Sequence, residues 1–232
     1  MKPFQFKEFE ILQSKKVFRV GTDGVLLGSL CSVLNAEKAL EIGTGTGLIS
    51  LMVAQRNRMT TILAIDIDPD AVKLANENFS NSPFRERIKA VNQDLKTWEI
   101  NEKFDFIFSN PPYFEENPSQ KDILARQQTE LSFQNLIEKS SKILTENGLF
   151  SVIIPDDAAN DFIKIGWENR LYLNRKINIS GIKNAEAKRC VLEFGFKEKK
   201  PTETDFFIEK SPRKYSDEYL ELTKDFHLFK EK

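Results

Sequence analysis

Apolar residues follow two rhythms along this chain, and the changes from one to the other mark out its elements. Phe4, Phe6, Phe9 and Ile11, then Val17, Phe18 and Val20, alternate with polar positions on either side of Gln13-Ser14-Lys15-Lys16, which predicts a short hairpin turning at 13–16. Residues 25–34 are apolar and predict a helix. Residues 38–42 read as a buried strand, the glycine run 43–47 follows, and 48–55 predicts a helix with Leu48, Leu51 and Met52 on one face. A second strand covers 62–65. Asp68 is placed to cap the next helix, with Pro69 at its first position and Ala71, Leu74, Ala75 and Asn78 on a shared face.

Strands are predicted again at 88–91 and 104–108. Ser132 then caps a helix carrying Phe133, Leu136, Ile137, Ile143 and Leu144, which runs until Gly148 stops it. An all-apolar strand follows at 149–154, a helix at 158–167, and a strand pair at 171–179 and 190–196. Residues 197–204 form the most linker-like stretch, after which 206–208 and 219–229 predict a strand and a helix that pack back. Strand, helix, strand, helix at this spacing means a parallel sheet, so the expectation is a doubly wound α/β domain with decorated edges.

Charge and composition narrow the classes of function. The 34 Lys and Arg balance 35 Asp and Glu to a net charge of -1, so any nucleic-acid footprint has to be a local patch. Cys31 and Cys190 lie far apart without metal-site spacing, and the one histidine, His227, excludes multi-histidine metal centres and argues against a Ser/His triad. It reads as a packing or surface residue of the last helix. No apolar run reaches the ~20 residues of a membrane span and no signal segment is visible, so the expected location is the cytoplasm.

Two segments carry chemistry. Glu41-Ile42-Gly43-Thr44-Gly45-Thr46-Gly47 lies between a strand and a helix, where Gly43, Gly45 and Gly47 let the backbone turn tightly against a ligand at the helix N-terminus. An acid directly before such a loop repels a pyrophosphate and attracts a cationic amino group, and S-adenosylmethionine carries both an ammonium and a carboxylate. Asp66, at the end of the second strand, sits where Rossmann-like folds hold ribose hydroxyls, and Asp94, after the third, could accept from an adenine amino group. The second segment is Asn110-Pro111-Pro112-Tyr113, closing the strand at 104–108. Its prolines fix their own φ angles and hold Asn110 extended. The Asn110 side-chain oxygen and the Pro111 carbonyl can then accept from one planar NH2 group while Tyr113 offers a stacking face.

Together these parts resemble class I S-adenosylmethionine-dependent methyltransferases of the N6-adenine and related amino-methylating type, over residues 38–155. The flanking Phe18-Arg19-Val20-Gly21-Thr22-Asp23-Gly24 run, with Pro212-Arg213-Lys214-Tyr215-Ser216 and Phe226-His227-Leu228-Phe229, is similar to the bacterial tRNA1(Val) N6-adenine methyltransferase family. The resemblance implies a Rossmann-like, mostly parallel doubly wound sheet with an antiparallel edge strand and a short N-terminal hairpin. It divides into an extension at 1–37, a cofactor-binding core at 38–196 and an appendage at 197–232. It further implies that Thr22 and Asp23 border the cofactor pocket, that no metal is used, and that the monomer acts on tRNA.

Candidate tRNA contacts are Lys15, Lys16 and Arg19, then Arg85, Arg87 and Lys89, then Lys183, Lys188 and Arg189, then Arg213 and Lys214. To these is added the polar stretch 114–130 with Lys121 and Arg126, expected to be a lid. Three other functions share parts of this pattern: methylation of a protein glutamine, methylation of guanine N2 in ribosomal RNA, and RNA binding without catalysis. Against the first, only about 37 residues precede the first sheet strand, and they look strand-rich instead of forming a helical substrate domain.

Overall fold

The central parallel strands are largely buried, so their order decides what the sheet can hold. In the computed structural model, which describes residues 1–17, 20–33, 35–112 and 131–228, the chain begins with β1 (Phe4–Gln5), β2 (Glu10–Ile11) and α1 (Thr22–Leu30). Then come β3 (Lys38–Ile42), α2 (Leu48–Arg56), β4 (Thr61–Asp66), α3 (Pro69–Ser80), β5 (Ile88–Asn92) and β6 (Phe104–Ser109). After these follow α4 (Phe133–Ile143), β7 (Leu144–Pro155), α5 (Ala159–Glu168), β8 (Tyr172–Ile182), β9 (Arg189–Gly195), β10 (Thr202–Ser211), β11 (Lys214–Tyr215) and α6 (Asp217–Thr223).

Nine strands form one sheet in the order β11-β10-β8-β9-β7-β6-β3-β4-β5. From β5 to β7 all neighbours are parallel, β9 runs against both β7 and β8, and β11 closes the far edge antiparallel to β10. Strand order reverses between β3 and β6. The carboxyl ends on either side of that reversal leave a crevice that helices cannot fill, and ligands of open α/β sheets bind there.

Two apolar layers cover the sheet. On one face α1, α2 and α3 pack with the β1–β2 hairpin over Ala39, Ala64, Phe106 and Phe108. On the other, α4 and α5 bring Leu136, Ile137 and Phe162 onto Ile107, Phe150 and Phe194. Phe162 meets Phe133 edge-on at 4.9 Å and Phe194 at 5.7 Å. Phe162, Phe150 and Phe194 are buried, each worth roughly 1.5–3 kcal/mol of removed apolar surface.

A buried carboxylate ties α1 to this frame. Glu193 accepts from Ser32 N and Ser151 Oγ on one oxygen, and from Ser32 Oγ and Arg175 Nε on the other, at 2.7–2.9 Å. Arg175 in turn donates to the Leu30 carbonyl at the end of α1. The network fixes the helix whose first turn carries Thr22 and Asp23.

The structure moves several expected boundaries. The N-terminal hairpin turns at 6–9, where Phe6 N donates to Phe9 O, and not at 13–16; residues 15–17 form bends and no second strand. The first helix starts at Thr22 and ends at Leu30. The helix begun by Ser132 ends at Ile143, because Leu144 already pairs with Phe104 in β7. Part of the linker-like stretch is strand: Thr202 begins β10 and pairs with Arg175. His227 lies beyond α6. Its backbone bridges Phe6, and its ring stacks on Phe6 at 5.6 Å and on Tyr219 at 6.3 Å.

Burial holds the His227 imidazole below its ordinary pKa of 6.5, so the fold prefers the neutral ring. In the unfolded chain the ring takes up its proton first. The stability it contributes is therefore complete above about pH 6.5 and declines as pH falls from there toward the depressed folded value. The thermal midpoint of wild type should drop between about pH 7.5 and pH 5.5 by more than that of His227→Phe. Equal drops would show that His227 does not couple folding to pH.

Candidate active site

The crevice at the strand-order reversal is a cleft of about 1290 Å³. That exceeds the roughly 300–1,000 Å³ of a single small-molecule site and leaves room for two ligands side by side. Its floor is the glycine loop. Gly43, Gly45 and Gly47 all take left-handed backbone, with φ of 77, 54 and 81°. A Cβ at Gly45 would meet nothing within 4 Å, so the loop presents bare backbone to open space; one at Gly47 would lie 2.4 Å from the Phe79 ring. Gly43 and Gly45 line the cleft, whereas Gly47 faces the α3 packing below it.

The loop is pinned from the neighbouring strand. Gly43 N and Thr44 N donate to the Ile65 carbonyl at 2.9 and 3.0 Å, and Gly45 N donates to Asp66 Oδ2 at 2.8 Å. Asp66 Oδ1 accepts from Asp68 N at 3.0 Å. Each Asp66 oxygen thus keeps lone-pair capacity toward the cleft it lines. Asp68 caps α3 by accepting from Asp70 N at 2.8 Å. From below, Asn78 donates to the Thr46 carbonyl and clamps Leu12 through both its amide groups, at 2.8–3.2 Å.

Glu41 lies under the loop and not on the cleft wall. It is fully buried, and its Oε2 accepts from Thr44 Oγ1 at 2.7 Å and Ser50 Oγ at 2.5 Å. Its Oε1 is buried with no hydrogen-bond partner among the described residues. Burial pushes this carboxyl up to about 8, despite the two hydroxyls that favour the charged form. The acid is therefore an internal brace of the loop, and its second oxygen is an unmet acceptor.

Thr22 and Asp23 border the cleft from α1, Asp94 from the end of β5, and Asn110, Pro111 and Pro112 from the end of β6. Asp94 Oδ1 accepts from Lys96 N at 2.9 Å. Ser109 Oγ donates to the Ile42 carbonyl at 2.8 Å and locks the end of β6 to the end of β3, which sets the height of Asn110 over the loop. Sequence reading passes over Ser109 and Asn78 as site residues; a hydrogen-bonding residue in the last position of an apolar strand, or on the apolar face of a helix, is the signal for both.

The basic candidates separate. Lys16 lies on the rim and pairs with Asp70 at 2.9 Å, while Lys15 is exposed outside it. Arg189 is engaged by Asp23, Nε to Oδ2 at 3.0 Å, which closes α1 against β9 beside the cleft. It is held against Asp23 on the cleft rim, whereas its neighbour Lys188 is exposed. Arg87 also turns inward, donating to the carbonyls of Ala54, Asn57 and Thr60. Tyr113, Arg19, Lys121, Arg126 and the expected lid at 114–130 lie outside the described residues.

Strand order, glycine floor and the Asn-Pro-Pro wall define a Rossmann-like methyltransferase. The model of the methyltransferase small domain matches residues 8–164. A curated relative from Flavobacteriaceae bacterium (strain 3519-10), named tRNA1(Val) (adenine(37)-N6)-methyltransferase, is 53% identical over 99% of this chain and 100% of its own. One of the same name from Bacteroides thetaiotaomicron is 38% identical over 97% of each chain. In fold the chain is similar to a predicted O-methyltransferase from Agrobacterium tumefaciens, with a TM-score of 0.70 at 16% identity, covering 88% of this chain and 96% of that one. A methyltransferase from Pyrococcus furiosus gives 0.62 at 20% identity, over 82% and 90%. The chain belongs to the tRNA1(Val) (adenine(37)-N6)-methyltransferase family.

Glu41 supplies a test of the brace. Its pKa rises from 4.5 to about 8 on folding, so the folded state holds a proton that the unfolded state releases. The stability from that proton is complete below about pH 4.5 and lost as pH rises through 8. Glu41→Gln removes the titration, so its stability relative to wild type should improve from about pH 5 to pH 8 in denaturant unfolding. Parallel pH profiles for the two proteins would reject a buried, proton-holding Glu41.

Proposed function

We infer that the protein methylates N6 of an adenine in tRNA, adenine 37 of tRNA1(Val), in the cytoplasm, with S-adenosylmethionine as donor. The observation that carries the reading is the placement of Asn110-Pro111-Pro112 on the wall of the same cleft whose floor is the open glycine loop and Asp66. The full-length relatives named for that reaction support the substrate.

The residues present suit the donor. Gly43 and Gly45 offer backbone that a ligand can approach closely, and Asp66 has acceptor capacity for ribose hydroxyls. Glu41 braces the loop from beneath, and Asp94 on the cleft wall is assigned to the adenine amino group. S-adenosylmethionine, when bound, supplies a methyl group on a sulfonium already activated for displacement. What remains for the protein is alignment.

Asn110 Oδ1 and the Pro111 carbonyl accept the two N–H groups of the target amine and turn its lone pair to the donor side, while the prolines keep both acceptors from moving. Tyr113 is assigned to stacking on the target base. The amine proton leaves to solvent, and no general base is assigned.

Asn110→Ala should lower kcat on tRNA by roughly 10² and leave cofactor affinity unchanged. Asp66→Ala should do the reverse, weakening S-adenosylhomocysteine binding by about 1–3 kcal/mol in calorimetry. Methylation of tRNA adenine at the wild-type rate by Asn110→Ala would sink the mechanism. A wild-type protein that methylates a glutamine-bearing protein and leaves tRNA untouched would overturn the substrate class.

A further inference from the structure

Exposed cations gather on one side of the cleft at the carboxyl edge of the sheet. Beside β4 and β5 that edge carries Asp66, Asp68, Asp70 and Asp94. On the far side two hairpin tips leave the sheet together, because β8 and β10 run parallel with Ile182 opposite Glu209. The β8–β9 tip holds Lys183 and Lys188, the β10–β11 tip holds Arg213 and Lys214, and all four are exposed. Neighbouring cations are already engaged, Lys210 by Asp217 and Arg189 by Asp23. Among the described residues, none of the four is in an ion pair; Lys183 lies 5.8 Å from the Phe207 ring centroid.

Two of the acids nearby already have partners. Asp156 pairs with Lys176 at 3.0 Å, and Glu209 accepts from the Arg213 backbone N–H at 3.0 Å. Glu186 shares the first tip, Asp157 lies on the cleft side, and Glu218 follows in α6.

Arg213 is also held in an unfavourable conformation. Ser211 pairs with Lys214, so Pro212-Arg213 is a two-residue loop, and Arg213 has φ of 65°. The second central position of a proline-led turn with positive φ is a place for Gly or Asn. A long cationic side chain kept there, exposed, against backbone preference, points to a use for the side chain.

We propose that the β8–β9 and β10–β11 tips, with Arg213 and Lys214 foremost, hold backbone phosphates of a folded RNA whose target base enters the cleft at Asn110. This rests on the reading of the cleft as an adenine site in RNA. Five strand steps separate β6 from β11, about 24 Å at the usual inter-strand spacing. Only a macromolecular polyanion reaches both, and cations without partners are what its phosphates neutralise.

The test uses Arg213→Gly, which relieves the backbone strain as it removes the charge, alone and with Lys214→Ala. Unfolding should show the Arg213→Gly fold as stable as wild type or more so, and S-adenosylhomocysteine affinity should not change. The Kd for unmodified tRNA should rise at least about fivefold in the double variant, and the slope of log K against log salt should become shallower by about 1 for each phosphate no longer neutralised. Arg213→Lys should restore part of the affinity. An unchanged Kd and slope in variants of a wild type that methylates tRNA would overturn the surface and leave the function standing. Tip-dependent tRNA binding by a wild type that methylates no adenine would uphold the surface and overturn the function. A wild type that binds no tRNA, or tips that matter only for a protein substrate, would overturn the RNA assignment.

Discussion

Three backbone N–H groups of the glycine loop hang from the last two residues of β4: Gly43 and Thr44 from the Ile65 carbonyl, Gly45 from the Asp66 carboxylate. A loop with three left-handed glycines loses more conformational freedom on folding than an ordinary turn, so it needs such anchors to keep one shape. The anchors work because β3 and β4 pair in parallel with Ile42 opposite Ile65, which puts the start of the loop level with its acceptors. A shift of one residue would send Asp66 to the other face of the sheet and leave the loop unsupported. The cleft, the approach to bare backbone and the height of Asn110 on the next strand all follow from that register.

Much of this is legible in the sequence where local and tertiary signals agree. From residue 38 to residue 112 the apolar strands, the Asp68-Pro69 helix start and the glycine run fall within about a residue of their expected places, because β3, β4 and β6 are largely buried and Asp68 caps α3. Legibility fails where one kind of partner can be read and another cannot. Thr202, Glu203 and Thr204 fall in the stretch that reads as linker, and all three are exposed, yet backbone pairing to β8 makes them strand. Leu144 reads as the end of a helix because sequence does not show Phe104 waiting across from it.

The charged residues teach the same lesson about the site. Glu41 and Asp66 are both acids next to the glycine loop, and only burial separates their roles, one braced beneath the loop by Thr44 and Ser50, the other at the cleft surface. Lys188 and Arg189 are adjacent in the chain, but alternation along the strand start turns Arg189 to Asp23 and leaves Lys188 outside. Chain proximity suggests a patch, and side-chain direction divides it.

The bridge between Phe6 and His227, with Lys7 N donating to the Phe226 carbonyl, joins residues 221 positions apart, the difference between 227 and 6. At ribosomal rates of about 5–20 residues per second, roughly 10–45 s separate the synthesis of the two partners. During that interval the aromatic face of Phe4, Phe6 and Phe9 lacks the His227 ring that later stacks against it. The hairpin that carries Phe6 is thus made long before the residue that secures it, and the nascent chain carries an unfinished aromatic seam throughout that interval.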